Sequence, residues 1–142
     1  MSGRKNYTQG EIDAGRAMVE SDLRAYRRLP AMAKTREFEA AFFNRATLLL
    51  DYLFVHRLIE VEGSDGNPLN EVRILCNSLL HNGGKLQIDP LPDWPLSAGA
   101  AQSLPTQRSV LKLTPGDDVK LSEADFVRLS KAFFVELETK YL

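Results

Sequence analysis

The stretch NPLNEVRILCNSLLHNGG, residues 67–84, contains a complete helix together with the signals for both of its ends. Asn67 followed by Pro68 is typical of a helix start, because asparagine caps free backbone N–H groups and proline fits the first helical position. Gly83 is typical of a helix end, because glycine adopts the left-handed conformation at little cost. We therefore predict a helix that runs from Pro68 to His81 and stops at Gly83.

On a helical wheel, where each residue advances by about 100°, this helix has an apolar face and a polar stripe beside it. The apolar face contains Leu69, Val72, Cys76, Leu79 and Leu80. The polar stripe contains Arg73, Asn77 and His81, each of which follows the previous one by four residues. Glu71 lies outside both groups, so we expect it to steer a neighbouring side chain rather than to touch a substrate.

The polar stripe has side chains that suit phosphodiester chemistry. A guanidinium holds a phosphate by two hydrogen bonds, and an imidazole transfers protons near neutral pH. Arg73 and His81, oriented by Asn77, would thus support attack by an RNA 2′-hydroxyl without a metal ion. The same residues also fit an ordinary helix end, because the helix dipole favours a histidine near the C-terminus whatever its function.

Two further helices are predicted before this stretch. The TQGE sequence at residues 8–11 is a capping box, and it predicts a helix that continues to about Leu29 and is stopped by Pro30. A longer helix is predicted from about Thr35 to Val61. Because its apolar residues occupy nearly every face, we expect it to be central in the fold or to contact a second chain.

The region after the stretch predicts one more helix and a small hairpin. Residues 89–107 contain four prolines and are expected to be irregular. Residues 109–121 are predicted as a β-hairpin with Pro115-Gly116 in its turn, and a helix capped by Ser122 should follow to about Lys140. The predicted fold is all-α: an antiparallel bundle of about four long helices in a single domain, residues 1–142, with a small β-hairpin.

Composition excludes several classes of site. The formal net charge is −1, so nucleic acid would need a local basic surface or one formed by an oligomer. The candidate surface is a cluster of cations around one helix junction: Arg24, Arg27, Arg28, Lys34 and Arg36. Its alternative interpretation is a solvated helix end, because two glutamates follow closely. The single cysteine allows no internal disulfide and no cysteine-pair zinc site, and we expect neither a cofactor nor a metal.

Location is predicted from the same features. A single cysteine fits a reducing compartment. The polar start, MSGRKNYTQGE, predicts no signal peptide, and no apolar run approaches the length of a membrane span. We therefore expect a cytoplasmic protein that makes no membrane contact.

The segment NEVRILCNSLLHNGG resembles the signature helix of HEPN-domain proteins. Members carry an arginine, often followed by asparagine, then four intervening residues and a histidine, and many continue with Asn or Gly. The matching positions here are Cys76, Asn77 and His81, followed by Asn82 and Gly83. The order of long helices, signature helix, loop or hairpin and closing helix is also similar.

The resemblance implies a function and a partner. HEPN proteins usually dimerise through the signature region, and many are metal-independent endoribonucleases of toxin–antitoxin or anti-phage defence systems. It therefore predicts a homodimer through the signature helix, an RNA substrate, and an antitoxin or defence-system protein as partner. The predicted catalytic residues are His81, Asn77, Arg73 and Cys76, with Glu71 and Asn82 in support. Other members have lost activity and bind a protein partner or RNA, which is the alternative for this chain.

The departure from the family pattern is that Cys76 stands at the arginine position. A neutral thiol cannot hold a phosphate, and loss of such a charge clamp typically costs about 10²–10³ in rate. Three explanations follow from the sequence. The chain is a natural pseudoenzyme, or Arg73 supplies the charge from one turn earlier, or a one-base change from arginine to cysteine permitted expression of a toxic protein.

Overall fold

The computed structural model describes residues 6–55, 66–87 and 109–142, and these form four α-helices. They are α1 (Gln9–Arg27), α2 (Arg36–Leu53), α3 (Pro68–His81) and α4 (Glu123–Lys140), with a short 3₁₀ helix at Ala31–Ala33 between the first two. The prediction of an all-α protein is confirmed. Residues 89–107, predicted to be irregular, lie outside the described residues.

Three of the four helices begin at a side chain that the sequence predicted as a cap, and α2 is capped by Thr35, where the sequence predicted a helix start without naming a cap. The backbone N–H of Glu11 donates to Thr8 Oγ1 at 3.1 Å, and that of Asn70 donates to Asn67 Oδ1 at 3.1 Å. Thr35 and Ser122 cap α2 and α4 in the same way. These bonds satisfy N–H groups that have no partner inside the helix, which explains why the four helix starts were predictable from local sequence.

Packing makes α3 the helix with the most enclosed surface. Helix α2 contacts the other three, while α3 packs mainly on α2 and α4. The apolar face predicted for α3 was therefore too narrow, since Ile74 and Leu75 are also buried. It was wrong at Leu80, which is 60% exposed although the neighbouring Leu79 packs against the core.

Helix α2 does not bury the apolar residues that recur most regularly along it; it buries another face. Its buried residues are Ala40, Phe43, Ala46, Thr47 and Leu50. The series that recurs at helical spacing, which begins with Phe38 and includes Tyr52, is partly exposed. The helix also ends at Leu53 rather than continuing through residue 55, and the rest of its predicted length lies outside the described residues.

The predicted β-hairpin at residues 109–121 is absent from the structure, although its turn is present. The turn closes by a bond from Asp117 N–H to Thr114 O at 3.0 Å, and Gly116 has a φ of 93°. The arms do not pair because their backbone groups bond elsewhere. Val119 N–H donates to Gly84 O at 2.7 Å, and Leu86 N–H donates to Asp117 O at 2.8 Å. Within the described ranges, β-pairing is limited to one bridge between Lys85 and Asp118.

None of the helices in the described part of the chain has the length and apolar character needed to span a membrane.

Candidate functional site

The polar residues at the start of α3 serve the helix itself. Asn67 and Asn70 are both fully buried and form a reciprocal capping box. Asn70 Oδ1 also accepts the backbone N–H of Gly66 at 3.0 Å. These amides therefore have partners in the interior, as buried polar groups require.

Cys76, at the position of the family's arginine, lies in the core. Its side chain is 1% exposed, and its Sγ donates to the carbonyl oxygen of Thr47 in α2 at 3.5 Å. Burial, with a smaller contribution from the negative charge of Asp51, holds the pKa of the Cys76 thiol far above its usual range. The thiol is thus protonated and inert, which agrees with a packing role.

Glu71 anchors residues 109–111, which begin the last described range of the chain. It is 2% exposed, and its carboxylate accepts the N–H groups of Val110 at 2.7 Å and Leu111 at 3.0 Å. The hydroxyl of Ser109 donates to it at 3.3 Å. A buried charge with three such donors is a structural tie between α3 and residues 109–111.

Arg73 and Asn77 are half-buried, and His81 is exposed. In Arg73 the Nε and Nη2 atoms are shielded from solvent, so most of its hydrogen-bonding fork is withheld from a ligand arriving from outside. His81 is the last residue of α3 and is open to solvent. Arg73 and His81 therefore occupy one stripe of the helix but very different environments.

Asn82 and Gly83 build the helix end. The N–H of Asn82 donates to Ser78 O at 3.1 Å, and its side-chain amide donates to Lys85 O at 2.7 Å. Gly83 and Gly84 have φ values of 63° and 80°, which glycine adopts readily. Asn82 thus shapes the turn after α3 from a position next to His81.

Two of the grooves among the described residues lie near the end of α3 and along α4, and neither is lined by any of the six predicted site residues. A groove of about 280 Å³ does lie at this end of α3, where Leu79, Gly83 and Gly84 face Asn44 of α2. Its charged rim consists of Arg36, Glu37, Asp118 and Lys120. A larger, shallow groove of about 490 Å³ lies along α4, and none of the predicted site residues lines it.

At least three of the five cations predicted at the junction between α1 and α2 make contacts within the chain. Arg27 forms an ion pair with Glu123 at 2.6 Å. Arg36 donates to the backbone oxygens of Lys120 and Leu121 and pairs with Glu39. Lys34 donates to the carbonyl oxygen of Arg27 and lies 5.4 Å from the ring centre of Tyr26. These contacts favour the interpretation of a solvated helix end over that of a phosphate-binding surface.

Among residues 6–55, 66–87 and 109–142, no group of three His, Cys, Asp or Glu side chains is arranged to hold a metal ion. The chain matches no protein-family model, no curated protein and no solved structure. The interpretation of the site therefore depends on the geometry of its own residues.

Proposed function

We propose that the chain is a catalytically silent, HEPN-like helical module that binds a protein partner. The observation that carries the proposal is the position of Cys76, which faces α2 in the core and is 1% exposed. In the HEPN-domain proteins that the signature helix resembles, the residue at this position supplies the cation that holds the phosphate. Here it offers a buried, neutral thiol instead, so a phosphodiester would lack its charge clamp.

Arg73 is a poor replacement for that cation. Its Nε and Nη2 atoms are buried, and a two-bond grip on phosphate requires two outward-facing N–H groups. His81 alone would then remain accessible for proton transfer. One acid–base group without charge stabilisation contributes only part of the rate enhancement that a ribonuclease needs.

A protein is favoured over RNA as the partner by the surface charge. The net charge is −1, and several exposed cations are already paired with acids. These pairs are Arg16–Glu138, Arg27–Glu123, Lys85–Asp118 and Arg128–Asp125. Met32 and Tyr52 are exposed at 87% and 70%, and methionine and tyrosine are among the residue types that are enriched in protein interfaces.

The second candidate function is the endoribonuclease that the resemblance implies. The exposure of His81, with Asn77 one turn earlier on the same side of α3, favours it. This function would require a cation other than Arg73 beside His81. A second chain or a bound partner could supply it.

The deciding experiment is cleavage of total RNA and tRNA in excess EDTA by the native chain and by His81→Ala. We expect no cleavage by either. Cleavage by the native chain that His81→Ala abolishes would overturn the proposal in favour of the ribonuclease. A gel-shift measurement on the same RNAs tests the class of partner. Tight binding at physiological salt would indicate that the partner is RNA rather than a protein.

Cys76→Arg is the informative companion variant. We expect it to be strongly destabilised, because a guanidinium would be buried among apolar side chains of α2 and α3. Thermal unfolding followed by circular dichroism measures this. A Cys76→Arg protein that unfolds at the same temperature as the native chain and gains His81-dependent cleavage would overturn this expectation. It would show that position 76 is accessible and that the site is a disabled ribonuclease.

A further inference from the structure

An apolar stripe runs along the outward face of α2. We call it the outer stripe. It consists of four large apolar residues with one arginine at the centre: Phe38, Phe42, Arg45, Leu49 and Tyr52. Phe38 is 42% exposed and Tyr52 is 70% exposed, while Phe42 and Leu49 are half-buried. Large apolar side chains aligned on one helix face over about 21 Å are unusual on a free surface.

The aromatic end of the outer stripe is already ordered. Tyr26 of α1 stacks on Phe38 at a ring distance of 6.4 Å and contacts Phe42 at 5.4 Å. Phe38 and Phe42 are 6.0 Å apart. Side chains that packing has fixed lose little entropy on binding, so these rings are suited to anchor a partner.

One acidic and one basic side chain lie at the stripe without forming an ion pair in the described part of the chain. Asp22 of α1 and Arg45 of α2 line one groove of about 280 Å³ together with Phe42 and Leu49. Asp22 is half-buried and Arg45 is exposed, and within the described ranges neither takes part in an ion pair. Each side chain can therefore pair with an opposite charge on a partner that docks at this groove.

The spacing of the stripe is nearly the same in both directions from Arg45. Phe38 and Tyr52 lie seven residues before and after it, and Phe42 and Leu49 lie three before and four after. An antiparallel two-fold pair of α2 helices centred on Arg45 would set each Phe38 against the Tyr52 of the other copy. It would likewise set each Phe42 against the other copy's Leu49.

We infer that a second copy of this chain docks on the outer stripe, in a two-fold pair in which Arg45 of each copy lies beside Asp22 of the other. A two-fold interface uses one surface patch twice, so that patch must complement itself in shape and charge. The nearly palindromic spacing supplies the first condition, and the Asp22–Arg45 combination supplies the second. The occupant is thus a copy of the same chain rather than an unrelated helix.

This pairing differs from one through the signature helix, whose exposed residues are Leu80 and His81 at its last turn. It goes beyond the proposed function and holds whether or not the chain cleaves RNA. The face spans about 21 Å by two helix widths of about 10 Å, so the pair would bury roughly 840 Å² over both copies, which is below the area of stable pairs and in the range of weak, transient ones. We therefore expect a dissociation constant in the micromolar range.

The experiment is sedimentation equilibrium of the full chain from about 1 to 200 µM, a range that brackets the affinity expected from this area. Tyr52→Glu places a carboxylate in the stripe, and Leu80→Glu is the matched control on the signature helix, with similar exposure in the single chain. We expect the native chain and Leu80→Glu to dimerise equally, and Tyr52→Glu to bind about a hundredfold more weakly. A monomeric native chain, or dissociation by Leu80→Glu, overturns the inference.

Charge reversal tests the geometry of the pair. Arg45→Asp and Asp22→Arg should each weaken dimerisation by about tenfold or more, because each replaces the attraction between Arg45 of one copy and Asp22 of the other by a repulsion between like charges. The double variant Asp22→Arg with Arg45→Asp should regain native affinity, because the two charges have exchanged places. Failure of the double variant to recover, in a chain that unfolds at the native temperature, overturns the two-fold arrangement.

Discussion

The first two turns of α3 and its last turn belong to one helix but stand in opposite environments. From Asn67 to Cys76 nearly every side chain is buried, and the polar ones have partners inside the protein. At Leu80 and His81 the helix is exposed. Regular spacing along one helix therefore does not give polar residues the same environment, because the packing around the helix changes along its length.

The largest effect should come from Glu71, at the buried end. In Glu71→Ala the donors of Val110 and Leu111 lose their acceptor, and we expect the free energy of unfolding to fall by about 3 kcal/mol. Glu71→Gln keeps one acceptor oxygen and should cost about half as much. Urea denaturation of both variants measures this. A loss below about 1 kcal/mol in Glu71→Ala would show that the tie to residues 109–111 contributes little.

An intermediate effect should come from the pH dependence of Cys76. Its pKa is raised in the folded protein, so the unfolded chain releases the thiol proton first, near the ordinary value of 9.0. This contribution to stability is present below pH 9 and is lost as the pH rises above it, by up to about 1.4 kcal/mol per pH unit. The measurement is the unfolding temperature between pH 8 and 10.5.

Cys76→Ser is the matched control for that profile. Burial also raises the pKa of Tyr26, which weakens the fold at still higher pH in both proteins. The difference between the native chain and Cys76→Ser therefore isolates the thiol. Parallel profiles from pH 8.5 to 10 would contradict the deep burial of Cys76.

The smallest effect should come from the exposed end of α3. We expect His81→Ala to change the free energy of unfolding by less than about 0.5 kcal/mol, because an exposed side chain away from special contacts carries little stability. Leu75→Ala on the buried side is the matched control and should cost about 3 kcal/mol. Equal losses in the two variants would remove the contrast between the two parts of α3.

Much of the secondary structure was predictable, because the signals for helix starts and ends are local. Thr8, Thr35, Asn67 and Ser122 each cap a helix through a side chain and the N–H groups two or three residues later. The hairpin was not predictable. Its turn forms, but Val110 and Leu111 donate to Glu71, about 40 residues earlier in the chain. A local sequence pattern cannot show that a carboxylate so far away in the chain accepts the N–H groups that the hairpin would have used.

The candidate site was predicted in part. His81 was placed correctly at the helix end by the glycines that follow it. The environments of Cys76 and Arg73 depend on what packs around α3, and a helical wheel contains no information about neighbours. The outer stripe shows the same limit, since the series with the clearest helical period is the one that α2 turns outward.

Local sequence was enough to predict where the four helices begin, where α3 ends and which polar side chains lie on it, because caps, prolines and glycines act over a few residues. Packing between elements sets which of those side chains are exposed to solvent. It places Cys76 against Thr47, Glu71 under residues 109–111 and the outer stripe at the surface. Burial is set by contacts between residues far apart in the chain, and the local pattern does not contain them.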